Sequence, residues 1–193
     1  MERYKVIVVG VSAGGLEALS VLLAPLRKDY PLPIIIVQHV LEGSDSFLTE
    51  YLNEKFVIEV KEAEDKETIR KSCVYIAPSS YHLMIEEDES FSLSVDPRVN
   101  YSRPSIDVLF ESAAYVFEER CIGIILTGAN SDGSNGLKMI KEKGGLTIVQ
   151  DPKSAEYDIM PKAAISATSI DFILDLKKMA TFLAEHISGG GVS

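Results

Sequence analysis

The sequence predicts an α/β fold: a mainly parallel, doubly wound sheet with an antiparallel hairpin insertion, in a single domain. Three observations carry this. Residues 5–15 (K-V-I-V-V-G-V-S-A-G-G) run from strand formers into a glycine-rich turn, and a helical apolar period (Leu16, Leu19, Leu22, Leu23, Leu26) starts at once beyond it. Segment 34–37 is an unbroken apolar run, the mark of a strand covered on both faces, 121–126 is again an apolar strand, and 146–149 reads as another strand. Segments 82–85 and 91–95 alternate on either side of Glu86-Glu87-Asp88-Glu89-Ser90, a hairpin pattern.

Taken in order, Pro31-Leu32-Pro33 ends the first helix and the second strand closes on Gln38-His39. Ser44 or Asp45 is placed to cap a helix through about Asn53, with Phe47, Leu48, Tyr51 and Leu52 on one face, and 57–60 reads as a third strand. A short strand at 74–77 leads into the hairpin, whose acidic tip is a solvated turn that protects a sheet edge. Pro104 or Ser105 opens a helix marked by Ile106, Val108, Leu109, Ala113, Val116 and Phe117. Strand 121–126 runs into Thr127-Gly128-Ala129-Asn130-Ser131-Asp132-Gly133, and Leu137, Met139 and Ile140 mark the helix beyond, which Gly144-Gly145 ends. Residues 151–160 read as loop, Pro161 opens a helix to Ala167, 172–174 is an edge strand, 176–186 is the terminal helix and 188–193 a flexible tail.

Composition narrows the function classes. The 193 residues are 46% hydrophobic and 25% charged, enough for one sizeable core. A net charge of -10, without clustered Lys and Arg, disfavours a nucleic-acid partner. Cys73 and Cys121 each open an apolar run, so they read as buried, reduced thiols of a cytoplasmic protein; neither has metal-ligand spacing to a histidine, and no metal or cofactor is expected. The first apolar run is too short for a signal peptide, and no run approaches the ~20 residues of a membrane span, so no membrane insertion is expected.

The G-x-S-x-G turn at Gly10–Gly14 admits three readings. It can place Ser12 on a tight strand-to-helix corner as a nucleophile, with unpaired helix N–H groups beside it. It can be a dinucleotide turn, although serine stands where the second glycine of that fingerprint belongs and the next strand ends in Gln38-His39 instead of a ribose-binding carboxylate. It can be purely structural, with Ser12 as a helix cap. His39 has a plain alternative as a strand-end histidine bonded to backbone, and Asp132 as a turn former or helix cap. Jointly, Ser12, His39 and Asp132 follow the carboxyl ends of three apolar strands, where an open parallel sheet binds ligands, and they are the three types of a catalytic triad. His82, opening a hairpin strand, and His186, ending the last helix, read as structural.

The chain resembles the catalytic domain of the CheB family of chemotaxis receptor-glutamate methylesterases. The resemblance runs through V-V-G-V-S-A-G-G-L-E-A-L, I-V-Q-H-V, Y-I-A-P-S-S-Y-H, S-R-P-S-I-D-V-L-F, G-I-I-L-T-G-A-N-S-D-G and I-M-P-K-A-A-I, and so covers nearly the whole chain. It implies a serine hydrolase with nucleophile Ser12, base His39 and acid Asp132, acting on glutamate γ-methyl esters of methyl-accepting chemotaxis receptors and deamidating particular receptor glutamines. Backbone N–H groups of Ala13, Gly14, Gly128 and Ala129 are the oxyanion candidates, and Arg103 is a candidate for meeting acidic receptor residues, beside an equally plain surface role. Family members often carry Thr and Met where this chain has Ala13 and Ala129, which shrinks the side chains at the site. Many also carry a receiver domain ahead of the esterase; here the expectation is an esterase domain over 1–193 without one. The rival functions are a nucleotide-binding Rossmann-like module and a non-catalytic chemoreceptor-array protein.

Overall fold

The computed structural model describes residues 3–39 and 47–187. Seven parallel strands form the sheet: β1 (Val6–Val11), β2 (Ile34–Gln38), β3 (Glu59–Glu62), β4 (Cys73–Ile76), β7 (Cys121–Ile125), β8 (Leu146–Gln150) and β9 (Phe172–Leu174), in the order β3-β4-β2-β1-β7-β8-β9. Strands β5 (His82–Ile85) and β6 (Phe91–Ser94) pair antiparallel as a separate two-stranded sheet, the expected hairpin. The helices are α1 (Gly15–Leu23), α2 (Phe47–Lys55), α3 (Ile106–Phe117), α4 (Ser134–Glu142), α5 (Ile159–Ala167) and α6 (Leu176–Phe182), the last continuing as a π-helical turn over Leu183–Ile187.

Alternation along the strands divides the buried side chains between two cores. Ile7, Val9 and Val11 share one face with α1, α2 and α6; Val6 and Val8 share the other with α3, α4 and α5. Every residue of β1, β2, β4 and β7 is buried, which is why those strands are legible as continuous apolar runs.

Several boundaries differ from expectation for physical reasons. The third strand, expected at 57–60, lies at Glu59–Glu62: as an edge strand it needs only Val60 inward, and Val57 is exposed. Leu16 belongs to the apolar pattern of α1 yet is exposed, while its neighbours Gly15, Ala18 and Leu19 are buried. Helix α5 begins two residues before Pro161, which occupies the first turn, where its missing N–H removes no helical bond. Ser44, Asp45, the side chain of His186 and the 188–193 tail lie outside the described residues.

The chain passes from β1 to β2 on one side and later returns to β7 on the other. The carboxyl ends of β2, β1 and β7 therefore stand side by side at a topological switch point. Register fixes the alignment, with Val11 opposite Gln38 and Gly10 opposite Ile125. Ser12, His39 and the 127–133 loop all emerge at this crevice.

Candidate active site

At the end of β1, Ser12 N–H donates to the Thr127 carbonyl at 3.0 Å, and Gly14 adopts φ 78°, a left-handed conformation suited to glycine, to start α1. The cap of α1 is Gly14, with no side-chain bond, so Ser12 is not a helix cap. Its hydroxyl takes no hydrogen bond among the described residues, and its side chain is half-buried. The amide of Gln38 donates to the carbonyls of both Ser12 (2.9 Å) and His39 (2.8 Å), locking the two strand ends together. That amide stands where a nucleotide site would need a carboxylate, so the dinucleotide reading has no support here.

His39 and Asp132 meet directly, Nε2 to Oδ2 at 2.8 Å, with side chains 11% and 0% exposed. Asn130 sits on the opposite ring nitrogen, its Nδ2 3.0 Å from His39 Nδ1. The Asn130 Oδ1 accepts the Asp132 N–H at 3.0 Å, so its NH2 group must face the ring. Nδ1 therefore carries the lone pair and Nε2 carries the proton donated to Asp132. The imidazole and carboxylate are in contact as expected; Ser12 follows the neighbouring strand end, and its hydroxyl has no bond to the ring.

Asp132 is not the cap of its own helix, since Gly133 fills that position in α4. It caps α3 from across the crevice. Oδ1 accepts from Ser105 Oγ (2.8 Å), Asn100 Nδ2 (3.0 Å) and Asp107 N–H (3.2 Å), and Oδ2 accepts from Ile106 N–H (2.6 Å) as well as His39. A buried anion is thus held by the unpaired N–H groups and positive end of α3. Burial alone pushes the Asp132 carboxyl up, but the His39 ring, the Asn100 amide and the Ile106 N–H outweigh it and hold it below the usual carboxylate range. Its neighbour Asp107 goes the other way: burial, aided by the Asp132 charge, raises it despite bonds from Gly136 N–H (2.7 Å) and Asn100 (2.8 Å).

Among the oxyanion candidates, the N–H groups of Ala13, Gly14 and Ala129 take no acceptor among the described residues. That of Gly128 donates to the Tyr157 carbonyl at 3.0 Å, so Gly128 is no free donor; a side chain there would instead meet Met160 and Ser12 Cβ. Arg103 is also engaged elsewhere, since its Nη1 holds the carbonyls of Val95 (2.7 Å) and Asp96 (3.1 Å) and so clamps the loop before α3. No group of three or more metal-binding side chains occurs among the described residues, and no helix there is long and apolar enough to cross a membrane.

A family model described as CheB methylesterase matches residues 7–183. The chain belongs to the CheB methylesterase family. It is 54% identical over 178 residues to a putative protein-glutamate methylesterase/protein-glutamine glutaminase of Leptospira interrogans, covering 92% of each chain. It is 35% identical over 188 residues to a protein-glutamate methylesterase/protein-glutamine glutaminase of Clostridium acetobutylicum, covering 97% of this chain and 54% of that one. The crystal structure of the Thermotoga maritima CheB methylesterase catalytic domain superposes with a TM-score of 0.90 at 33% identity, over 95% of this chain and 98% of that one. The α/β architecture expected from the apolar runs is that of a CheB catalytic domain.

The site of this CheB-family chain contains residues that strand-end reasoning did not find. Asn100, Ser105, Asn130 and Gln38 bond directly to the residues singled out, but their effect depends on contacts 26 to 91 positions apart in sequence. Ser105 lies in the S-R-P-S-I-D motif, where helix-start signals mark it for a local role. His82 is structural as expected, in a more particular way. Its Nδ1 accepts the Ser105 N–H (3.2 Å) while Nε2 donates to the Pro97 carbonyl (3.1 Å), steadying the start of α3 under Asp132. Both cysteines are free and buried, and burial pushes the Cys73 thiol up to about 11 and Cys121 further, which keeps them protonated and inert.

Proposed function

We propose that this chain is a serine hydrolase that removes methyl groups from glutamate γ-methyl esters on the cytoplasmic helices of chemoreceptors, releases methanol, and deamidates receptor glutamines at the same site. The observation that carries the reading is the buried His39–Asp132 pair beside the unbonded Ser12 hydroxyl. The working compartment is the cytoplasm, where those receptor helices lie.

Ser12 Oγ attacks the ester carbonyl carbon and its proton passes to His39 Nδ1, which Asn130 vacates. Catalytic hydrogen bonds of this kind often form only with substrate in place. Asp132 keeps Nε2–H oriented and stabilises the imidazolium. The uncommitted N–H groups of Ala13, Gly14 and Ala129 are the donors available to the developing oxyanion, each worth about 3 kcal/mol. The C–O bond to methoxide then breaks as His39 returns the proton, giving methanol and an acyl-serine. Water, deprotonated by His39, cleaves the acyl-serine to glutamate. With a glutamine side chain the same steps release ammonia.

Methanol release from a methylated receptor fragment, compared between wild type, Ser12→Ala and His39→Ala, tests this. Ser12→Ala should melt like wild type, having lost no hydrogen bond, and should lose turnover by up to ~10⁶-fold. Wild-type-like release from Ser12→Ala would overturn the assignment.

A further inference from the structure

The loop between β6 and α3 closes on a two-residue turn at Asn100 and Tyr101, tied by Val99 N–H to Ser102 O at 3.1 Å and Ser102 N–H to Val99 O at 2.8 Å. Both central residues have positive φ, 49° and 64°. Turns of this kind favour Asn followed by Gly; a bulky residue at the second position is strained. Tyr101 stands there, and the fold offers nothing in return: it is 94% exposed, with no hydrogen bond or ring contact among the described residues.

The two residues of the turn face opposite ways. Asn100 reaches inward to Asp132 Oδ1 and Asp107 Oδ2, so it lies two hydrogen bonds from His39. Tyr101, next along the chain, presents its ring to solvent at the same rim, on a loop that also exposes Val95 and Val99. We infer that Tyr101 is a specificity-determining residue that packs on an apolar patch of the methylated protein, beyond the reacting side chain, and that this contact is what the strained turn serves. Observed strain at a site edge without compensating packing points to a partner outside the fold. The inference rests on the esterase reading above.

Tyr101→Gly restores the favoured turn sequence, so a purely structural role and a contact role predict opposite outcomes. The full chain is assayed for melting temperature, for hydrolysis of a small glutamate γ-methyl ester, and for methanol release from a methylated receptor fragment. Tyr101→Gly should melt at or above wild type and cleave the small ester within about twofold of it, while its kcat/KM on the receptor falls about tenfold, mainly through KM, the scale of one interface aromatic. Tyr101→Phe should retain most receptor activity. Receptor cleavage by Tyr101→Gly within about twofold of wild type, or an equal fall on both substrates, overturns the inference. So does a lower melting temperature. A wild type inert on both esters overturns the esterase reading and this inference with it, whereas an active wild type matched by Tyr101→Gly overturns this inference alone.

Discussion

Exchanging Asp132 for asparagine should damage the fold as well as the chemistry, which is not the usual outcome at a triad acid, where the amide leaves the geometry intact. The difference follows from the donors that converge on it. Placing the new NH2 group at Oδ2 sets it against Ile106 N–H, now 2.6 Å away, and against His39 Nε2. Placing it at Oδ1 sets it against Asp107 N–H and the Asn100 amide, while only the Ser105 hydroxyl is free to rotate. Either orientation leaves at least one backbone N–H of α3 facing another donor in a buried site. One such orphaned group costs about 1–3 kcal/mol, and loss of the anion at the helix end up to about 2 more. A total of about 1–5 kcal/mol lowers the melting temperature by roughly 2–20 °C for a domain of this size. Thermal unfolding of Asp132→Asn beside Ser12→Ala measures this, with methanol release followed in parallel. If Asp132→Asn melts within about 1 °C of wild type while losing turnover, the capping role is wrong.

Asn130→Asp should silence the base. It keeps the bond to Asp132 N–H but turns a carboxylate toward His39 Nδ1, so the ring is held as an imidazolium between two anions; turnover at neutral pH should fall by about 10²-fold or more, and histidine ¹⁵N spectra should show both His39 ring nitrogens protonated. Acid should weaken the wild type through Asp132. Its folded carboxyl lies below the usual range, so its contribution is complete above that range and is lost as pH falls through the folded value; Asp107, held above the range, opposes this by taking its proton first in the folded state. Urea midpoints followed from neutral into acid conditions should therefore decline at the acid end in wild type, and the Asp132-dependent part of that decline should be missing in Asp132→Asn.

Ser12, His39 and Asp132 are legible in the sequence because each is announced by its own strand: an apolar run buried on both faces ends, and a reactive residue follows. The residues that hold them are not. Ser105 carries a local signal for starting α3, and it does start that helix, yet its hydroxyl goes to an aspartate 27 positions away. Asn100 sits in a tight turn and the Asn130 side chain bonds the backbone two residues on, both local roles; that their amides touch His39 and Asp132 depends on the packing of α3 against α4, which no local pattern encodes. The core strands can be read nearly to the residue, while the edge strand β3 is shifted, because only one of its faces needs apolar side chains. Gly128 shows the same limit in the backbone, since its N–H is already held by Tyr157 from a loop 29 positions on.

The anchoring of α3 by Asp132 bears on how such a chain can decay. A descendant freed from its chemistry could shed the serine at no cost to folding, yet it would still be bound to the aspartate by the helix that rests on it. Dead members of such a lineage should therefore be found with the nucleophile drifted and the acid in place, and an acid retained on its own would be no sign that hydrolysis survives.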